Sequence, residues 1–151
     1  MIYNRTQTDV DNAVEIRANK VQTFQPLTDA DIETLERGML TINALNRIEG
    51  KQQELKALFD TNFYFVDEIE NKEWGRDDLF YQSDFDRLKY NLEMLRKAYF
   101  VFAKTPDIPA KDFFHFQRLN DFEKNLFDLE KMLSDIANRY RECGAFKCGG
   151  T

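Results

Sequence analysis

Apolar residues recur at helical spacing along most of the chain. The two most regular stretches begin at Phe85 and Leu119 and advance by three and four residues in alternation. Such spacing places the apolar side chains on one face of a helix. It predicts long helices near 83–103, capped by Ser83, and 112–142. Because only a short proline-bounded link separates them, we expect the two helices to pack antiparallel as an αα-hairpin.

Three shorter helices are predicted before residue 62, each with a recognisable start. Thr8 is placed to cap the first helix, and Thr28 followed three positions later by Asp31 resembles a capping box for the second. Thr41 is placed to cap the third, whose apolar stripe continues to about Asp60.

The stretch 62–82 has no helical period. It opens with a short aromatic and β-branched run, which is typical of an extended segment or an edge strand, and its Trp74 would be costly to leave in water. We expect an aromatic-rich ordered loop or a short strand here. The chain as a whole is predicted to be an all-α, single-domain bundle of about five helices over 1–142, followed by a C-terminal hook of cysteine and glycine at 143–151.

Composition narrows the classes of function. The 151 residues carry a formal net charge of −6, which disfavours nucleic acid as a partner because phosphate binding needs a basic face. No apolar run is long enough to span a bilayer, and the N-terminus lacks the apolar core of a signal peptide, so we expect no membrane partner and synthesis in the cytoplasm. Aromatic residues make up 14%, a surplus that favours contacts with a partner chain.

Catalytic chemistry has few residues to use. The chain has one histidine, His115, and two serines, Ser83 and Ser134, which are better explained as cap and surface residues than as nucleophiles. No glycine-rich phosphate loop occurs, and Asp112-x-x-His115 is the single near match to the two Glu-x-x-His pairs that a di-iron bundle requires, which one histidine cannot supply. We expect no catalytic residue, no cofactor and no small-molecule substrate.

Cys143 and Cys148 form the most conspicuous local feature. Two thiols are half of a zinc site, so they are weak metal candidates, and a site would need two chains to share the ion. The alternatives are a reduced pair, a disulfide across the intervening turn, or a C-terminal hook that packs Phe146 on its own or a neighbouring helix.

Asn46, Arg47 and Glu49 form a polar group within the third helix, beside apolar neighbours. Together with Arg5, this group is predicted to make structural contacts. The expected arrangement is an arginine held by carboxylates while its stem covers the core.

Several motifs occur in an order that resembles a structural module found in tail and baseplate proteins of phages and prophages of Gram-positive bacteria. They are NRTQTDV at 4–10, GMLT and LNRIE within 38–49, KEW ending at Trp74, TPDIP at 105–109, and YRECGAFKCG at 140–149. The resemblance extends over nearly the whole chain, and it depends on order and spacing because the motifs contain no catalytic signature.

The resemblance implies a non-enzymatic virion protein that joins other virion structural proteins, in several copies within a symmetric assembly. No fibre-like extension follows Thr151, which favours a small adaptor or decorating subunit, and a head-associated position is an alternative. The other hypotheses are a small metal-dependent enzyme using Cys143, Cys148, His115 and nearby acidic residues, and a phage-encoded cytosolic regulator that binds a host protein. The expected structural or interaction residues are Arg5, Asp9, Asn46, Arg47, Glu49, Trp74, Cys143, Phe146 and Cys148.

Overall fold

The computed structural model describes residues 1–62, 64–98, 101–111, 113 and 115–143, with side chains described through Asn138. The five α-helices are α1 (Gln7–Ile16), α2 (Asp29–Gly38), α3 (Ile42–Thr61), α4 (Gln82–Ala98) and α5 (Phe116–Cys143). A π-helical turn, Arg17–Val21, extends α1. No strand occurs among the described residues, so the predicted all-α bundle of five helices is confirmed and 64–81 is a loop. Within this part of the chain, no helix is long and apolar enough to cross a membrane.

Two of the predicted helix starts are confirmed, and the first is wrong by two residues. Thr28 and Asp31 form the expected capping box, and Thr41 caps α3. The cap of α1 is Thr6, not Thr8, although both have an aspartate three positions later. Arg5 decides between them, because its backbone is held outside the helix by α5 and the helix therefore starts immediately after it.

The boundaries of the two C-terminal helices also differ from the prediction. Ser83 lies inside the first turn of α4, and the carboxylate of Asp84 accepts a hydrogen bond from the backbone of Tyr81 at 3.0 Å. The described helix ends at Ala98, well before residue 103. α5 begins at Phe116 after His115, whose Nδ1 atom accepts from the backbone of Gln117 at 3.3 Å.

The apolar stripes of α4 and α5 are buried within the subunit. Phe85 and Leu92 of α4 and Phe122 and Leu126 of α5 are completely inaccessible to solvent. They share one core with Leu55 and other residues of α3. These stripes are therefore intramolecular core.

α4 and α5 do not form the predicted antiparallel hairpin. Phe113, just before α5, packs edge-on against Phe85 in the first turn of α4, with ring centroids 5.0 Å apart. In a hairpin, the start of α5 would lie beside the end of α4. α4 ends at Ala98 and α5 begins only at Phe116, so the link between them is longer than predicted. α4 is about 25 Å long at 1.5 Å per residue. An extended link of this length can return along the whole of α4.

α3 contacts both later helices with the same polarity. Residue numbers rise on both helices from one contact to the next. Between α3 and α4 the contacts are Glu49–Arg87 and Gln52–Asn91. Between α3 and α5 they are Arg47–Glu123 and Lys51–Glu130. The three helices therefore run in the same general direction. Their connections must lead the chain back each time, and we call the described parts, 64–81 and 101–111 with Phe113, the two return segments.

A row of aromatic rings connects the two return segments to the core. Trp74 lies beside Phe80, Phe80 stacks on Phe113, and Phe113 meets Phe122 edge-on at 5.0 Å between centroids. Much of the aromatic surplus is thus used inside the subunit. The expectation that surplus aromatic residues face a partner chain applies only to the exposed remainder.

α1 and α2 approach each other at Gly38 more closely than any side chain would permit. A Cβ atom added at Gly38 would overlap the carbonyl oxygen of Asp9 and the side chain of Ala13. An ion pair between Arg37 and Asp9, 2.7 Å from Nε to Oδ1, closes the same contact. The hairpin of α1 and α2 therefore depends on the missing side chain.

Gly38→Ala is predicted to lower the free energy of unfolding by about 1–3 kcal/mol, because α1 and α2 must separate to admit the methyl group. Gly50→Ala is the matched control. A Cβ atom at Gly50, in the middle of α3, meets no atom within 4 Å, so this substitution is predicted to stabilise the protein by about 0.5–1 kcal/mol through helix propensity. Urea denaturation of both variants measures the difference. Equal effects would contradict the close packing at Gly38.

The capping box of α2 predicts a pH dependence. The Lys20 ammonium, followed by the backbone and hydroxyl of Thr28, lowers the pKa of Asp31 from 3.8 to about 2. A lowered pKa stabilises the fold above the unfolded value, and that contribution is lost as the pH falls from about 4 through about 2. Asp31→Asn should therefore melt below the wild type at pH 6, with the gap closing towards pH 2. A gap that does not change with pH would refute this role of the carboxylate.

Candidate functional site

Asparagine side chains on α3 and α4 hold the first return segment by its backbone. Asn46 accepts from the N–H of Trp74 at 2.8 Å and donates to the carbonyl of the same residue at 3.1 Å. Asn91 pairs in the same manner with Glu70, accepting at 3.3 Å and donating at 2.7 Å. An amide side chain can satisfy both backbone groups of one residue in this way, as a neighbouring strand would.

A third asparagine holds the N-terminal segment. Asn120 of α5 accepts from the N–H of Arg5 at 3.1 Å and donates to its carbonyl at 2.9 Å. The second return segment has a related anchor, because Asn125 donates to the carbonyl of Pro106 at 3.0 Å and accepts from Arg96 at 2.6 Å. The N-terminal segment and both return segments thus each have an asparagine partner on a described helix.

Glu49 is the centre of the first charged cluster. Its side chain is almost entirely buried, and its carboxylate forms a two-point ion pair with Arg87 of α4. It also accepts from the indole N–H of Trp74 at 3.1 Å and from the backbone of Lys72 at 3.3 Å. The hydrogen bond to Glu49 raises the pKa of Arg87 above its ordinary value. The acceptor positions of this carboxylate are therefore used by donors of the same chain.

Glu123 is the centre of the second charged cluster. It is fully buried on α5 and accepts from Arg5 Nη1 at 2.6 Å, from the backbone of Ile2 at 3.0 Å and from Arg47 Nη2 at 2.9 Å. Arg5 Nη1 also donates to the carbonyl of Ile2. Arg5 Nε and Nη2 and Arg47 Nε are buried without a hydrogen-bond partner. Two guanidinium groups thus share one carboxylate, which leaves a formal excess of one positive charge.

The two clusters are built on the same short motif. The pattern Leu-Asn-x-Ile/Phe-Glu occurs at 45–49 and again at 119–123. In both copies the asparagine binds the backbone of an irregular segment, and the glutamate three residues later binds arginine. The first copy was recognised from the sequence, whereas the second, with Asn120 and Glu123, was missed. Arg87 and Asn91 belong to the motifs that resemble the phage module, but no contact was predicted for them. The recurrence of the motif was the signal that would have identified Asn120 and Glu123.

The predicted polar group on α3 is divided between the two clusters. Asn46 and Glu49 face α4 and the first return segment, whereas Arg47 faces α5 and binds Glu123. The arginine held by a carboxylate is present, but its partner lies 76 residues away. This division follows from helix geometry, since residues one or two apart point in different directions around the axis.

Asp9 and Trp74, the other predicted contact residues within the described part, both have structural partners. Asp9 closes the capping box with Thr6 and pairs with Arg37. Hydrogen bonds from the backbone and the hydroxyl of Thr6 lower the pKa of Asp9. Trp74 is buried with its indole on Glu49, and the Lys72 ammonium lies 3.9 Å from the centre of its ring.

The remaining predicted contact residues belong to the C-terminal segment. Phe146 and Cys148 lie outside the described residues, and Cys143 ends α5 with its side chain outside them. His115, the remaining residue of the metal hypothesis, stacks on Phe116 at the start of α5. Within the described ranges, no three histidine, cysteine, aspartate or glutamate residues are grouped closely enough to hold a metal ion.

Comparison with known proteins adds no relative. No protein-family model, no curated protein and no solved structure matches the chain.

Glu49→Gln is predicted to lower the free energy of unfolding by about 3–5 kcal/mol, because it removes the carboxylate that pairs with the largely buried guanidinium of Arg87 at two points and leaves only Asp84, 4.0 Å away, as a countercharge. The matched control is Glu54→Gln on the same helix. Glu54 is 51% exposed and pairs with Lys51 in a surface ion pair, which is worth under about 1 kcal/mol. Chemical denaturation at neutral pH measures both variants. Similar losses in the two variants would show that the Glu49 cluster does not hold the fold.

Proposed function

We propose that this chain is a non-enzymatic structural protein of a phage virion. In this role it is a tail or baseplate subunit that joins other virion proteins, assembled in the host cytoplasm and present in several copies. One observation carries the proposal: charged residues form buried ion pairs within the subunit, whereas large aromatic side chains are exposed on its surface.

The inward use of charge supports a structural role. Arg5, Asn46, Arg47, Glu49 and Trp74 belong to the motifs that resemble the phage module, and each makes an internal contact that fixes one segment of the chain to another. Such internal contacts keep the surface of the subunit in one fixed shape, and a subunit of an assembly needs a fixed surface to contact its neighbours.

The outward display of aromatic residues supports protein partners. Phe24, in the turn after the π-helical segment, is 96% exposed, and Phe65 in the first return segment is 98% exposed. Phe24 also has a φ angle of 56°, a left-handed conformation that is uncommon for a residue with a bulky side chain. Burial of each ring by a neighbour would contribute about 1.5–3 kcal/mol. Large exposed aromatic residues are typical anchors of protein interfaces.

Quantitative mass spectrometry of density-purified particles from the encoding phage or prophage tests the proposal. We expect peptides of this chain in the particles, in a fixed ratio to the major tail protein. A protein that is abundant in the lysate but absent from the particles would contradict the virion role and favour a regulator.

A paired substitution tests the exposed aromatic residues. Phe24→Ser combined with Phe65→Ser should leave the melting temperature within a few degrees of the wild type, because neither ring packs in the subunit, and should reduce incorporation into particles by about tenfold. Lys131→Ser, an exposed change on α5, is the control and should be incorporated normally. Normal incorporation of the double variant would remove these rings from the interface.

A further inference from the structure

A groove of about 540 Å³ lies between α1 and the start of α5. Val10 of α1 lines one side, Phe113, Phe116 and Leu119 line the other, and Leu40 lies between them. Val14 follows Val10 by one helical turn on the same face of α1 and is 53% exposed. The apolar surface therefore continues out of the groove along α1. A groove of this form accommodates the apolar side chains of an added polypeptide segment.

The charged residues that line the groove are basic, although the chain as a whole carries a net charge of −6. Arg5 and Arg17 line it, and no described lining residue has a carboxylate. Arg5 belongs to the Glu123 cluster, which keeps an excess positive charge because Arg47 shares the same carboxylate. Arg17 is exposed and makes no ion pair among the described residues. The local potential therefore favours an anionic group.

His115 adds a hydrogen-bond donor to this wall. Its Nδ1 atom accepts from the backbone of Gln117, so the neutral imidazole carries its proton on Nε2. A carboxylate is a suitable acceptor both for this N–H and for the guanidinium of Arg17.

We propose that this groove binds an amphipathic segment of a neighbouring polypeptide. The apolar side chains of that segment lie against Val10, Val14 and Phe116, and an aspartate or glutamate beside them pairs with Arg17. The inference rests on the proposed function in naming a polypeptide partner, and it assigns the chemistry of that partner. The occupant is a different protein, and a second copy of the chain is an outcome that the experiment below distinguishes.

Fluorescence anisotropy with the full-length chain tests the proposal. The probe is a labelled helical peptide of about 14 residues, with leucines at i, i+3, i+4 and i+7 and glutamates flanking them. Its counterpart has lysine in place of every glutamate. We expect the glutamate peptide to bind about tenfold more tightly than the lysine peptide.

Variants of the chain place the binding in the groove. Arg17→Glu should weaken binding of the glutamate peptide about tenfold or more and strengthen binding of the lysine peptide. Val14→Asp should weaken binding of the glutamate peptide. Arg76→Glu reverses an exposed arginine of the first return segment, away from the groove lining, and should leave both affinities within about twofold of the wild type.

Four outcomes would overturn the proposal. They are equal binding of the two peptides, equal effects of Arg17→Glu and Arg76→Glu, displacement of the peptide by phenylacetate at peptide-like concentrations, and self-association of the chain that the glutamate peptide inhibits. The third outcome would assign the groove to a free carboxylic acid and the fourth to a second copy. Each of these is separate from the presence of the chain in virions, so failure here does not decide the proposed function.

Discussion

The fold depends on the pairing of helix asparagines with the backbone of irregular segments. Three helices that run in the same direction need connections that return along their length, and such connections bring unpaired N–H and C=O groups against the core. A buried backbone group without a partner costs free energy comparable to a lost hydrogen bond. Asn46, Asn91 and Asn120 supply the missing partners in pairs, each to a single residue.

The charged clusters complete this arrangement. Each glutamate of the repeated motif lies one helical turn after its asparagine and binds an arginine from a different part of the chain, Arg87 in one case and Arg5 in the other. The amide fixes the backbone of a segment, and the ion pair joins further parts of the chain at the same place. Removal of one partner from such a pair is costly because a charge is left buried. The asparagine–backbone pair and the glutamate–arginine ion pair each occur in both copies of the motif. Together they connect the N-terminus, the first return segment and three helices.

The sequence allowed the helices to be predicted well because their stripes and caps are local features. Thr28 with Asp31, Thr41 and the buried faces of α4 and α5 are specified by residues within a few positions of each other. The relative direction of α4 and α5 is not specified by neighbouring residues in this way. It depended on the length of the link before α5, and that link was underestimated at both ends. The proline pair suggested a tight connection, whereas Pro106 and Phe113 instead begin and end a long return along α4.

Only one side of each charged cluster was predicted, again because the contacts join residues that are distant in sequence. Asn46, Arg47 and Glu49 were recognised as a polar group of contacts, but their partners are distant in sequence. A single sequence contains no direct sign of which arginine meets which glutamate. The first member of each pair was visible as a polar residue on an apolar face, and the second became identifiable only through the fold or through the repeated motif. The exposed aromatic residues were likewise visible only by composition.

Hydrogen exchange at single residues, measured by NMR on the native protein, tests the central claim most directly. The amides of Arg5, Glu70 and Trp74 lie outside the helices, yet each donates to an asparagine side chain. They should exchange slowly, with protection comparable to that of amides in α3, whereas the amide of Glu68, for which the described residues offer no acceptor, should exchange rapidly. Rapid exchange at Glu70 and Trp74, indistinguishable from Glu68, would contradict the account.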